Sequence, residues 1–236
     1  MIKKWWVALA STGVLSGCII TPLNTGEPHF LKGSQRYEAH GRQGWMPGKN
    51  IRFGSYASEI NKGKTTSDSH YNSTERYEEE DYNREVVITQ AGPDGSHISL
   101  KYKQHCAIKR YHSSYENELL RKRVKMTHTP NIGGFELNGK QWHLKQWVLD
   151  DRAGNQFRID PQTIFLNNRV VAEFSPAPWK IHDHVWLKAE ASEETKLISA
   201  VLLSYVMTEE PLPCKSRLIM LNLINATSPM LSNEDF

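Results

Sequence analysis

The stretch Val86-Val87-Ile88-Thr89-Gln90-Ala91-Gly92-Pro93-Asp94-Gly95-Ser96-His97-Ile98-Ser99-Leu100-Lys101-Tyr102 decides the fold class. Apolar residues stand at 98, 100 and 102, and the same parity continues to Cys106 and Ile108. Side chains two apart share a face of an extended chain, so this pattern predicts a strand with one buried face. The β-branched run 86–89 leads into Gly92-Pro93-Asp94-Gly95. Two β-prone runs about a Gly/Pro/Asp turn read as an antiparallel hairpin.

Working outward, the same grammar repeats. Phe135 and Leu137 precede Asn138-Gly139, and Trp142, Leu144 and Gln146 follow in alternation. Asn-Gly is the strongest two-residue hairpin signal, because both positions accept positive φ. Asp150-Asp151-Arg152-Ala153-Gly154 predicts a turn before Phe157 and Ile159, and Asn167-Asn168 separates Ile164-Phe165-Leu166 from Val170-Val171-Ala172. Strands are also expected within 51–60, at Val185-Trp186-Leu187 and over 218–224, where a closing strand is read. Segment 113–126 reads as a short helix or loop and then a strand. Ser192-Glu193-Glu194 ahead of the apolar run 197–207 has the form of a helix start, a hydroxyl cap followed by acids. The length of that run favours a buried helix, although its β-branched residues favour a strand. The expected fold is mainly β, a β-rich α+β arrangement of antiparallel hairpins in a sandwich or partly open barrel, with one or two helices.

Between Asn61 and Glu85 there is no aliphatic side chain, and Tyr71, Tyr77 and Tyr82 are the large apolar groups. Such composition cannot bury enough apolar surface to order itself alone. A polar mobile insertion over 61–85 is the leading expectation. A recognition loop using the three tyrosines and a set of polar edge strands are the alternatives.

The N-terminus carries a different signal. Lys3 and Lys4 precede an uncharged stretch to Leu15, followed by Ser16 and Gly17. That is the layout of an export signal, too short to span a bilayer. It ends in Leu15-Ser16-Gly17-Cys18, which resembles the lipobox of bacterial lipoproteins. The resemblance covers residues 1–18. It implies cleavage between Gly17 and Cys18, a covalent diacylglycerol and an N-acyl chain on Cys18, and membrane attachment through them. Two acyl chains hold firmly where one is marginal. Ile19 lacks the acidic side chain associated with inner-membrane retention, so the implied address is the outer membrane, facing the periplasm. The organisation expected is therefore a signal peptide over 1–17, a lipidated N-terminus and Pro/Gly-broken tether over 18–33, and one β-rich domain over 34–236.

Composition narrows the function. Twenty-nine basic and 26 acidic residues give a net charge of +3, and loss of Lys3 and Lys4 with the signal leaves +1. Nothing in that balance speaks for nucleic acid. Of three cysteines, lipid takes Cys18, and Cys106 with Cys214 form an even pair for a disulfide in an oxidising compartment. His182-Asp183-His184 is a weak metal candidate: on a strand the two imidazoles share a face, with a third ligand sought at His105, His112 or His143. Trp142, Trp147, Trp179 and Trp186 could form a glycan or partner surface, and more often such residues serve the core. No phosphate loop, nucleophile elbow or zincin helix occurs, and no cofactor beyond the lipid is expected. The leading functional expectation is a non-enzymatic envelope binding or assembly component. The alternatives are a periplasmic ligand-binding or hydrolase-inhibiting module, and an envelope hydrolase with dispersed catalytic residues.

Overall fold

The computed structural model describes residues 31, 34–42, 47–111, 123–176, 182–210 and 212–214. In chain order the strands are β1 Gln35–Ala39, β2 Arg52–Phe53, β3 Tyr56–Lys62, β4 Thr66–Asn72, β5 Tyr77–Ala91, β6 His97–Tyr111, β7 Arg123–Leu137, β8 Lys140–Lys145, β9 Val148–Asp150, β10 Gln156–Asp160, β11 Thr163–Leu166, β12 Arg169–Ser175 and β13 Asp183–Leu187. One helix follows among the described residues, α1 Glu193–Thr208. The lipobox, the tether apart from Leu31, segment 113–122, the strand read over 218–224, His112 and Trp179 lie outside the described residues, and Leu31 is buried.

The sheet is an antiparallel meander in the order β1-β13-β12-β11-β10-β9-β8-β7-β6-β5-β3-β2. Its two ends meet. His40 and Arg52 exchange backbone hydrogen bonds of 2.8 and 3.0 Å, joining the end of β1 to the start of β2. The result is a nearly closed barrel. The turns are the ones the side chains demand: Asn138 and Gly139 take φ of 52° and 73°, and Asn167 and Asn168 take 47° and 66°. Both positive values match the twist of the flanking strands.

Helix α1 occupies the middle. It contacts β3, β5 and β6 on one side and β11 and β12 on the other, strands far apart in the sheet order. A rod touching both must lie within the curl of the sheet. Every residue from Leu197 to Tyr205 is buried, so the helix has no solvent stripe. A helix that is apolar all round belongs in a core. The Ser192 hydroxyl accepts a hydrogen bond from the Thr195 amide at 3.2 Å, and Glu193 and Glu194 sit in the first turn. Cap, acids and an apolar run longer than an ordinary strand outweigh the β-branched content.

Segment 61–85 corrects the sequence expectation. It is not an irregular insertion but the end of β3, all of β4 and the first half of β5. β3 and β4 lie in tandem along one edge of β5, with a Gly63 amide to Glu85 carbonyl bond of 2.8 Å between them. Backbone pairing to a long neighbour and charged cross-strand pairs supply what aliphatic burial would otherwise supply. Asn72 shapes the turn, its Oδ1 accepting from the Thr74 and Glu75 amides at 3.0 and 2.9 Å. The polar-edge-strand alternative is the one that describes the fold.

Candidate binding surfaces

Strands β5, β6 and β7 have 15 residues each, about 50 Å at roughly 3.3 Å per residue. Their barrel halves cover α1. Their outer halves run on and, with β4, form a four-stranded blade. Register fixes its two faces. On one, Glu80, Ile108 and Met126 lie in a row, and so do Tyr82 and Cys106. Leu212 and Cys214 pack there with Tyr82, Cys106 and Ile108 as a second small core. The Cys106–Cys214 disulfide ties that cover down across a separation of 108 residues. The expected pairing is thus present, and Cys106 does point to a buried face.

The opposite face carries titratable groups in rows. Lys109 Nζ lies 3.1 Å from Glu79 and 4.4 Å from the Tyr77 ring centroid. His105 Nε2 is 3.0 Å from Asp81 Oδ1, and its Nδ1 is 2.8 Å from Thr129 Oγ1. The Glu79 carboxylate, the Tyr77 hydroxyl and their charge raise the Lys109 pKa. On the covered face Arg110 bonds Glu80 at 2.6 Å, which raises its pKa further. All residues of β4 from Thr66 to Tyr71 are exposed, and among the described residues β4 pairs with β5 alone.

The tyrosines do not form one surface. Tyr77 and Tyr82 are buried on opposite faces of the blade, because their spacing is odd, and Tyr71 is 57 % exposed. The tryptophan surface is also corrected. Trp142 is buried against Phe135 and Phe157, Trp147 packs beside Tyr205, and Trp186 is fully buried. Parity with Leu144 already directs Trp142 inward.

His182 and His184 are separated by environment. His184 is buried 6.0 Å from the Trp186 ring, and burial, then Arg36, lowers its pKa. His182 is exposed and meets His40, a partner sequence reading did not consider, at 4.3 Å between ring centroids. His105 and His143 lie on β6 and β8, away from β13 in the sheet. Asp183 between the two histidines is buried and bonds Arg42 at 2.9 Å. No three His, Cys, Asp or Glu side chains converge on a metal-sized point among the described residues.

Two concave surfaces lie among the described residues. One of about 580 Å³ lies outside the barrel among Lys101, Gly133, Gly134, Glu136, Gln141 and His143. Its floor is backbone because a Cβ on Gly133 would stand 1.9 Å from the Lys101 carbonyl oxygen, and one on Gly134 2.1 Å from that of Trp142. The other, about 430 Å³, lies between the β11–β12 turn and the start of α1. No helix among the described residues is long and apolar enough to cross a membrane. Comparison with protein-family models, curated proteins and solved structures gives no match.

Proposed function

We propose that this chain is an outer-membrane lipoprotein, held by acyl chains on Cys18, whose barrel presents the β4–β7 blade to an envelope protein as a non-enzymatic binding or assembly component. The observation that carries this reading is the buried helix α1 within the barrel. Ligand-carrying barrels keep an open lumen. Here the interior is occupied by the chain itself, which leaves outer surfaces for recognition. The blade adds an accessible edge strand and rows of charge, the features used in strand addition and in electrostatic docking.

The test is photo-crosslinking in cells from a probe placed at Asp68 or His70 on β4, with a probe at Asn138 on the far turn as control. One envelope protein should recur from β4, be absent from Asn138, and be lost with Cys18→Ala, which should also abolish palmitate incorporation. Recurrence from neither blade position, or membrane attachment unchanged in Cys18→Ala, overturns the proposal. The polar depression at Gly133-Gly134 favours a second reading, a surface site for a small polar ligand. Retention of a ligand by purified protein, lost with Lys101→Ala, would support it, and purification without bound ligand would count against it.

A further inference from the structure

We infer that His40 and His182 form a two-imidazole clamp for a divalent transition-metal ion between β1 and the start of β13, beside the closure of the barrel. The antiparallel register pairs Glu38 with His184 and Ala39 with Asp183, so the next rung sets His40 opposite His182. Side chains opposite each other leave the same face of the sheet. The two rings accordingly meet edge to face, 4.3 Å between centroids and 63° between planes. Both residues are exposed, so water can fill the remaining coordination positions.

Two imidazoles on one tetrahedral Zn²⁺ at about 2.0–2.1 Å per bond have centroids about 5 Å apart. Reaching that spacing takes a ring swing of under about 1 Å. Imidazole is the favoured side chain for Zn²⁺, Ni²⁺ and Cu²⁺, which excludes Ca²⁺ and Mg²⁺ as occupants. Glu38 stands on the same face as His40, two residues earlier, and is exposed, the nearest carboxylate in the ladder for an outer contact. Arg42 is engaged by Asp183, on the opposite parity of β13, while Arg36 and Arg52 share the face of His40 by register.

The position gives the ion a structural consequence. The His40 backbone also bridges to Arg52, so the residue that would hold the metal is the one that closes the barrel. A bound ion would pin β1 to β13 next to that joint and stabilise the folded state by mass action.

The experiment titrates ZnCl₂ and, separately, NiCl₂ into the full-length protein in detergent at pH 7.5, by calorimetry and by thermal melting. One site is expected, with a melting temperature that rises with metal. His40→Ala and His182→Ala should each weaken binding at least tenfold and remove the thermal shift. His105→Ala and His143→Ala should leave both unchanged. His40→Gln, which keeps a polar side chain at the seam, guards against a folding defect and should also lose the metal while melting as the wild type does without it. Absence of a site at 1 mM metal, or wild-type affinity in the His40→Ala/His182→Ala double variant, overturns the inference.

Discussion

Tyr205 shows how single polar atoms are placed in this core. It is fully buried in α1, its hydroxyl donates to the Gln146 carbonyl at 3.1 Å, and it accepts from Asn131 Nδ2 at 2.8 Å. Burial raises its pKa, so the phenol stays protonated and remains a donor. One residue earlier, Ser204 donates to Gln90 at 2.8 Å, linking the helix to β5. Tyr205→Phe leaves the aromatic packing but orphans Asn131 Nδ2 and the Gln146 carbonyl. A buried group without its partner costs about 1–3 kcal/mol. The urea midpoint should fall accordingly with an unchanged slope, and a variant as stable as wild type would show that water satisfies those atoms. None of this was legible from residue order. Gln90 sits at a core position of an alternating strand, where the pattern foretells an apolar side chain. Its partner stands 114 positions later in α1.

Elements were easier to read than residues, and the reasons differ from one to the next. The Asn138-Gly139 and Asn167-Asn168 hairpins were legible because positive φ is a local requirement with few acceptable residues. The blade was not, because its order is borrowed: β4 has no buried side chain and is held by its ladder to β5. Composition reports what a segment can bury, not what it can pair with. The same limit hid the His40–His182 pairing, which depends on β1 pairing with β13 from the other end of the chain. Two predictions belong at this scale. Reducing the Cys106–Cys214 bond frees the cover over Tyr82 and Ile108; for a loop of this length the chain-entropy model gives about 4–5 kcal/mol. Thermal melts with and without reductant should separate by many degrees, and superimposed melts would place the stability elsewhere. Glu210 supplies the second. It accepts from Lys62 at 3.0 Å and lies 3.5 Å from Arg84, joining the end of the α1 segment to β3 and β5. The Lys62 hydrogen bond, ahead of the charges of Lys62 and Arg84, lowers its pKa. An acid whose folded pKa is depressed stabilises the protein above its unfolded pKa, about 4.3, and that contribution fades as pH falls through the folded value. Glu210→Gln should therefore melt below wild type at pH 7, with the gap closing towards pH 3. A gap that persists at pH 3 would mean packing rather than charge.

At the scale of the whole molecule, one chain carries two regions built on different physics along the same strands. In the barrel half, β5 and β6 present Val86, Ile88, Ile98, Leu100 and Tyr102 to α1, all buried. In the blade half the same strands present acids and bases, and the apolar core there is a cluster of five buried residues around the disulfide. Local opening free energy follows buried apolar contact, so a strand continuous in space need not be uniform in stability. Amide hydrogen exchange should resolve this along single strands. Amides of 86–91 and 98–102 should exchange only through global unfolding. Those of β4 should exchange fastest, since its side chains from Thr66 to Tyr71 are exposed. The outer parts of β5 and β6 should fall between, with protection highest near Cys106. Reductant should speed exchange at 77–84 and 104–111 and leave the barrel amides unchanged, because α1 rather than the disulfide holds that half. Uniform protection along β5 would refute the division, and with it the reason for expecting recognition at the blade: a surface that opens at low cost can adapt to a partner, while the helix-filled barrel keeps the scaffold fixed.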